Sequence, residues 1–233
     1  MMCGRFSIAV RIGNLAERFG VSEPPGIFLP RFNIAPGEEV PVITGSARMS
    51  MMRWGLIPSW TTGDKITLTP INARAEGITE KKLFRALLSK GRCIIPATGF
   101  YEWKKSGNRK SPMYFRMKSQ EVFGMAGLCD SWEAPEGGIV WSFTIITTQP
   151  NSLVLPIHNR MPVLLKRQYE KQWLDPASDM DEGLATMLTP YPPEEMEMYP
   201  VTKKVNTPSF KSEPTVLEEI HENSNDLVTW DTR

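Results

Sequence analysis

The sequence predicts an α+β fold: a single domain with an antiparallel, partly closed barrel-like β core and flanking helices. Three observations lead there. Twenty prolines and 17 glycines in 233 residues favour short strands and turns over long helices. Turn signals such as Pro36-Gly37, Gly45-Ser46 and Ser106-Gly107-Asn108 separate short apolar runs. Only a few stretches carry apolar residues at helical spacing. No repeat, low-complexity tract or linker divides the chain, so residues 1–222 read as the domain and 223–233 as a polar C-terminal tail.

Taken in order, Ile12, Leu15 and Phe19 recur at helical spacing and stop at Gly20, predicting a helix over 11–19. Val40 to Ile43 and Met49 to Trp54 read as strands joined across Gly45-Ser46. Thr79 is a start signal for a helix running to Leu88 and stopped by Gly91. Arg92 to Pro96 reads as a buried strand. Phe100 to Lys104 and Met113 to Met117 form a hairpin, and Phe123 to Leu128 and Val140 to Thr147 are two further strands, with Cys129 a packing residue at the end of the first. Lys166 to Leu174 and Met180 to Leu188 read as helices, and Met198 to Val201 as the last strand. Thr215-Val216-Leu217-Glu218 has capping-box spacing and starts a short terminal helix holding His221.

Composition excludes several classes of function. A net charge of +1, from 27 basic and 26 acidic residues, gives no global field for nucleic acid, so any such surface is a local patch. No apolar run approaches the length of a membrane span, and no signal-peptide core is present. Three widely spaced cysteines form neither a disulfide framework nor a metal site, which points to a reducing, cytoplasmic location. No metal and no cofactor are expected, and nothing suggests more than a monomer.

The chemistry-bearing stretch is Met1-Met2-Cys3-Gly4-Arg5-Phe6. With the methionines removed, Cys3 would carry an α-amine and a thiol on one carbon, a 1,2-aminothiol. The amine can condense with an aldehyde to a Schiff base, and the thiol can then close a five-membered thiazolidine. An α-amine has a pKa of about 7.7–8.0, so a useful fraction is nucleophilic near neutrality. The plain alternative is a cysteine buried as a small hydrophobe. In Arg53 to Trp60, two tryptophans in a poor helix and poor strand are either core or rings displayed for stacking on bases. Asn72 and Arg74, two apart, share one face of an extended segment. Glu102 stands among aromatic residues, where a pocket-facing position would raise its pKa and suit it to proton transfer. His158, in a proline-bounded loop beside Arg160, is the better acid–base candidate of the two histidines.

The motifs Met2-Cys3-Gly4-Arg5-Phe6, Phe32-Asn33-Ile34-Ala35-Pro36-Gly37, Arg53-Trp54-Gly55-Leu56-Ile57-Pro58, Ile71-Asn72-Ala73-Arg74-Ala75-Glu76, Gly99-Phe100-Tyr101-Glu102-Trp103 and Ile157-His158-Asn159-Arg160-Met161-Pro162 stand in the order found in the SOS-response-associated peptidase (SRAP) family. The chain resembles that family from about residue 2 to residue 221. The resemblance implies binding of single-stranded DNA at abasic sites and covalent capture of the opened sugar by the N-terminal cysteine as a thiazolidine. Such a protein belongs to the DNA-damage response, nucleoid-associated if prokaryotic. It implies Cys3 as nucleophile, Asn72 as a hydrogen-bonding group near the amine, Glu102 as the acid–base group and His158 as an aid to sugar opening and crosslink release. Arg5, Arg74 and Arg160 resemble phosphate contacts, Trp54 and Trp103 resemble base-stacking rings, and Asn33 resembles a pocket-lining residue.

One departure stands out. Family members begin Met-Cys-Gly-Arg, whereas here Met1-Met2 precedes Cys3. Removing one methionine would leave Met2 covering the amine. Either synthesis starts at Met2 or the chain clips itself; the first is the expectation, and the family's peptidase label rests on the second. The competing functional classes are a non-catalytic binder of single strands or modified bases and a thiol peptidase acting on other proteins.

Overall fold

The computed structural model describes residues 3–45, 48–63, 66, 68–178 and 183–220. In chain order its strands are β1 (Phe6–Ile8), β2 (Arg31–Ile34), β3 (Glu39–Thr44), β4 (Arg48–Trp54), β5 (Asn72–Arg74), β6 (Arg92–Ala97), β7 (Gly99–Ser106), β8 (Arg109–Met117), β9 (Phe123–Glu133), β10 (Ile139–Thr148), β11 (Met161–Pro162), β12 (Leu164–Leu165) and β13 (Met196–Pro200). The helices are α1 (Ile12–Phe19), α2 (Lys82–Lys90), α3 (Arg167–Leu174) and the short α4 (Leu184–Met187).

Five strands close on themselves: β10 pairs with β4, β4 with β3, β3 with β6, β6 with β9, and β9 returns to β10. The predicted barrel is therefore complete, and closure removes the exposed edges that an open sheet would present. Its one parallel junction is β4 against β10. After Trp54 the chain leaves this edge and comes back as β5, which takes the next stretch of β10 in the same direction, Asn72 opposite Ile145. A second sheet, in the order β13-β8-β7-β1-β2, lies against the barrel. Phe6 of this sheet meets Trp54 of the barrel edge-on at 5.0 Å, and Trp54 stacks on Phe143 at 6.4 Å, so the aromatic core spans both sheets.

Helix α1 ends where Gly20 adopts φ +64°, a left-handed cap that suits glycine, as its sequence position predicts. Two start signals are overruled. Helix α2 begins at Lys82, capped by Lys81 without a side-chain bond, so Thr79 does not start it. The capping-box spacing at Thr215 yields only a 3-10 turn over Pro214–Leu217 with no side-chain cap, in which Glu213 takes the N-cap position and Thr215 lies inside the turn. Between Met180 and Leu188 the described helix covers Leu184–Met187. The strand predicted to end before Cys129 continues to Glu133 and pairs with β10 along that length. Met1, Met2 and the residues from His221 onward, which include the whole predicted tail, lie outside the described residues.

Candidate active site

The site forms where the start of the chain runs along the second sheet towards the barrel. β1 and β7 are antiparallel with Phe6 opposite Phe100, and the Tyr101 amide donates to the Arg5 carbonyl. That register brings Cys3 alongside Glu102. The Cys3 backbone nitrogen donates to Glu102 Oε1 at 2.8 Å. Cys3 has φ +24°, a conformation that non-glycine residues seldom hold unless the surroundings impose it. β5 brings Asn72 to the other side, where Nδ2 donates to the Cys3 carbonyl at 3.4 Å.

His158 arrives from the loop between β10 and β11. Buried Asn151 organises that loop: its Oδ1 accepts from the Val154 amide and its Nδ2 donates to the Tyr191 carbonyl. The loop then turns so that the His158 amide donates to the Val154 carbonyl. His158 Nδ1 lies 3.9 Å from Glu102 Oε1 and within 3.2 Å of the Arg160 amide. Nδ1 also lies 3.3 Å from the Arg160 carbonyl, so it accepts from the amide in one tautomer and donates to the carbonyl in the other. The four candidates Cys3, Asn72, Glu102 and His158 thus meet, although they lie up to 155 positions apart in the chain.

Their electrostatics fit proton handling. Burial pushes the Glu102 carboxyl up to about 7, against the lowering effect of the Cys3 N–H bond. Burial lowers the His158 pKa, overcoming its bond to Arg160, so the imidazole is neutral near pH 7. Burial, and then the charge of Glu102, raise the Cys3 thiol pKa well above its ordinary value, so the thiol holds its proton. Among the described residues no cluster of three or more His, Cys, Asp or Glu side chains is arranged to hold a metal ion, and no helix is long and apolar enough to cross a membrane.

The candidate DNA contacts divide. Arg74 is exposed and open to solvent. Trp103 is half-buried, its Nε1 donating to Asn206 Oδ1 at 2.7 Å. The other four are built into the protein. Trp54 is fully buried, with Nε1 donating to the Ile71 carbonyl, so its ring packs the core and has no face free to stack on a base. Asn33, also fully buried, donates to the carbonyls of Val205 and Thr207. Arg5 Nη1 donates to Asn33 Oδ1 and the Val205 carbonyl, tying the cysteine segment to the same C-terminal strap. Arg160 is buried against Glu76, at 2.7 Å, and the Thr147 carbonyl, so it anchors the His158 loop rather than offering a free charge.

The exposed ring is the other tryptophan of the same motif. Trp60 keeps 64% of its surface accessible, on a loop pinned by the Ser59 amide to Asp130. Gly55, at φ +119°, follows Trp54 and ends β4 before the chain reaches Trp60, and that is the signal separating the two rings. Glu76, the partner of Arg160, carries no comparable signal, because the pair forms across 84 positions.

The model of the SOS response associated peptidase (SRAP) family matches residues 2–208. The abasic site processing protein YoqW of Bacillus subtilis (strain 168) is 42% identical over 223 residues, covering 93% of this chain and 99% of that protein. The abasic site processing protein HMCES of Xenopus tropicalis is 31% identical, covering 77% of this chain and 63% of that protein. A crystal structure of a protein from Bacteroides thetaiotaomicron is similar with a TM-score of 0.87 at 31% identity, over 94% of this chain and 100% of that one. With a match across nearly its whole length and the cysteine-centred cluster in place, the chain belongs to the SOS response associated peptidase family.

Proposed function

We propose that this protein captures abasic sites in single-stranded DNA as a covalent thiazolidine on Cys3, once the methionines ahead of it have been removed. The observation that carries the reading is the contact between the Cys3 nitrogen and Glu102 Oε1 at 2.8 Å, with His158 Nδ1 at 3.9 Å from the same oxygen. The relatives' description as abasic site processing proteins supports it.

The chemistry follows from the protonation states. His158, neutral, takes the hydroxyl proton of the closed abasic sugar as the ring C–O bond breaks to give the aldehyde, and returns that proton to the freed ring oxygen, which becomes a hydroxyl. The thiol is held protonated, so the α-amine attacks first. Addition gives a carbinolamine, and its hydroxyl leaves as water with a proton from Glu102, whose pKa of about 7 populates both forms near neutrality. The thiol sulfur then bonds to the imine carbon while its proton passes through Glu102 to the nitrogen, closing the ring. Asn72 holds the Cys3 carbonyl, fixing the amine and thiol on one side of the aldehyde. The raised thiol pKa weighs against a thiol peptidase acting on other proteins, which needs a thiolate. Trp60 and Arg74, exposed, supply a ring and a charge for the strand.

A denaturing gel tests the reading. Mixing the protein with a single-stranded oligonucleotide bearing one abasic site is expected to give a heat-stable adduct, absent with Cys3→Ala and absent with an undamaged strand. An adduct that persists in Cys3→Ala would overturn the assignment of the nucleophile.

A further inference from the structure

The β7–β8 hairpin runs on past the active site. Glu102 and Trp103 stand at its base, opposite Met113 and Pro112. β13 covers β8 only between Met113 and Met117, so Lys104 to Ser111 project beyond the sheet as a two-stranded ribbon. At about 3.3 Å per residue the ribbon extends roughly 13 Å, about the span of two nucleotides. Its turn, Gly107-Asn108, has φ +57° at Gly107, the glycine-first geometry that matches the twist of a tight hairpin.

The charge of this ribbon is out of proportion to the chain. The whole protein carries +1, yet residues 103–120 contain no carboxylate and six cations, four of them on the ribbon: Lys104, Lys105, Arg109 and Lys110. All four are exposed, and among the described residues none has an ion-pair partner. Lys105 and Lys110 are directly opposite each other, an arrangement that destabilises a strand pair when no anion separates the charges. Alternation puts Lys104 and Arg109 on the face of Glu102, and Lys105 and Lys110 on the other. A surface serving only for solubility intersperses both signs of charge; this one does not. Glu102, which meets the Cys3 nitrogen, lies two residues before Lys104 on the same strand, so the ribbon starts beside the reacting centre.

We propose that the β7–β8 hairpin beyond Trp103 is an arm that grips the phosphate backbone of the DNA flanking the lesion, through Lys104, Lys105, Arg109 and Lys110. The proposal rests on DNA as the substrate of the Cys3 site and adds the element that draws the strand to it. The arm carries no base-reading geometry, so it binds independently of sequence and its contribution is screened by salt.

Binding of an undamaged single-stranded oligonucleotide, measured by fluorescence anisotropy across a salt series, tests the arm without any covalent step. Replacing Lys104, Lys105, Arg109 and Lys110 together by Gln is expected to flatten the slope of log affinity against log salt by about 0.7 for each phosphate the arm no longer neutralises. Two such phosphates give about 1.4 in slope and roughly a 25-fold weaker affinity near 0.1 M salt. A charge-preserving exchange of Lys for Arg and Arg for Lys at the same four positions is expected to keep the wild-type slope. Matching thermal unfolding curves show that the variants fold. A Gln variant with wild-type slope and affinity overturns the arm. Covalent capture of an abasic strand by the wild type is scored separately. Its failure with an altered slope sinks the crosslinking reading and leaves the arm; capture with an unchanged slope does the reverse.

Discussion

The barrel interior and the seam between barrel and second sheet each hide cysteine from water, and they make opposite things of it. Cys93 and Cys129 lie on neighbouring barrel strands among aliphatic side chains, with Cys93 pushed up in pKa by burial and by its hydrogen bond to Cys129. Cys3 is as deeply buried, at 1% exposure, and its thiol is raised too. The difference is in the neighbours. Around Cys3 stand a carboxyl pushed up to about 7, a neutral imidazole and an amide. The side chain that meets the Cys93 thiol is another thiol, that of Cys129. Burial alone makes a cysteine inert; burial beside groups that can move protons makes one usable.

Substitutions sharpen this contrast, and the largest effect falls on the cysteines. Cys3→Ala is expected to abolish covalent capture at unchanged fold, whereas Cys93→Ala leaves capture intact and lowers stability by about 1 kcal/mol or more through the small cavity it opens. Capture by gel and thermal unfolding read the two. Glu102→Gln keeps the shape and removes the proton shuttle, so the single-turnover rate of adduct formation should fall by roughly 10²–10⁴. A Glu102→Gln variant crosslinking at the wild-type rate would reduce the seam to a second patch of packing.

The two tryptophans of one motif make the same contrast at lower amplitude. Trp54→Ala empties a site between Phe6 and Phe143 and should cost about 3–5 kcal/mol of stability by chemical denaturation. Trp60→Ala, on an exposed ring, should leave stability unchanged and weaken single-strand binding by about 1–3 kcal/mol. Stability also depends on pH through Glu102. The folded protein holds the Glu102 proton up to about pH 7, whereas the unfolded carboxyl releases it near its ordinary value of about 4.3. The folded state therefore binds more protons between those values, and stability falls as pH rises through that window. Unfolding curves for Glu102→Gln should lack that decline.

Local patterns in the sequence show most of the β fold and single out Cys3, Asn72, Glu102 and His158, the four residues that the fold brings together. Alternation and turn residues show the β7–β8 hairpin, although β8 starts at Arg109, four residues before the expected Met113, and Gly20 stops α1 where it should. The two-residue spacing of Asn72 and Arg74 matches one strand, β5, but not the parallel run of β5 along β10 that delivers Asn72 to Cys3. Closure of the barrel depends on pairings such as Arg92 with Leu128 and Ser142 with Arg53, which local patterns do not encode. The same limit explains Arg5, Asn33 and Arg160. As isolated polar residues in loops and strand ends they resemble ligand contacts. Their partners are the carbonyls of Val205, Thr207 and Thr147 and the carboxylate of Glu76, all brought in by tertiary folding. Thr79 and Thr215 fail for the converse reason: a capping signal is a weak preference that the surrounding chain overrules.

The central claim is that Cys3 reacts through both its amine and its thiol, and intact mass spectrometry before and after mixing with an abasic single strand tests it most directly. The account predicts a free protein whose mass places Cys3 at the terminus, and an adduct equal to protein plus DNA less one water that resists borohydride, as a closed thiazolidine does and an imine does not. An adduct formed with Met2 still in place, or an exposed Cys3 that forms none, would contradict it.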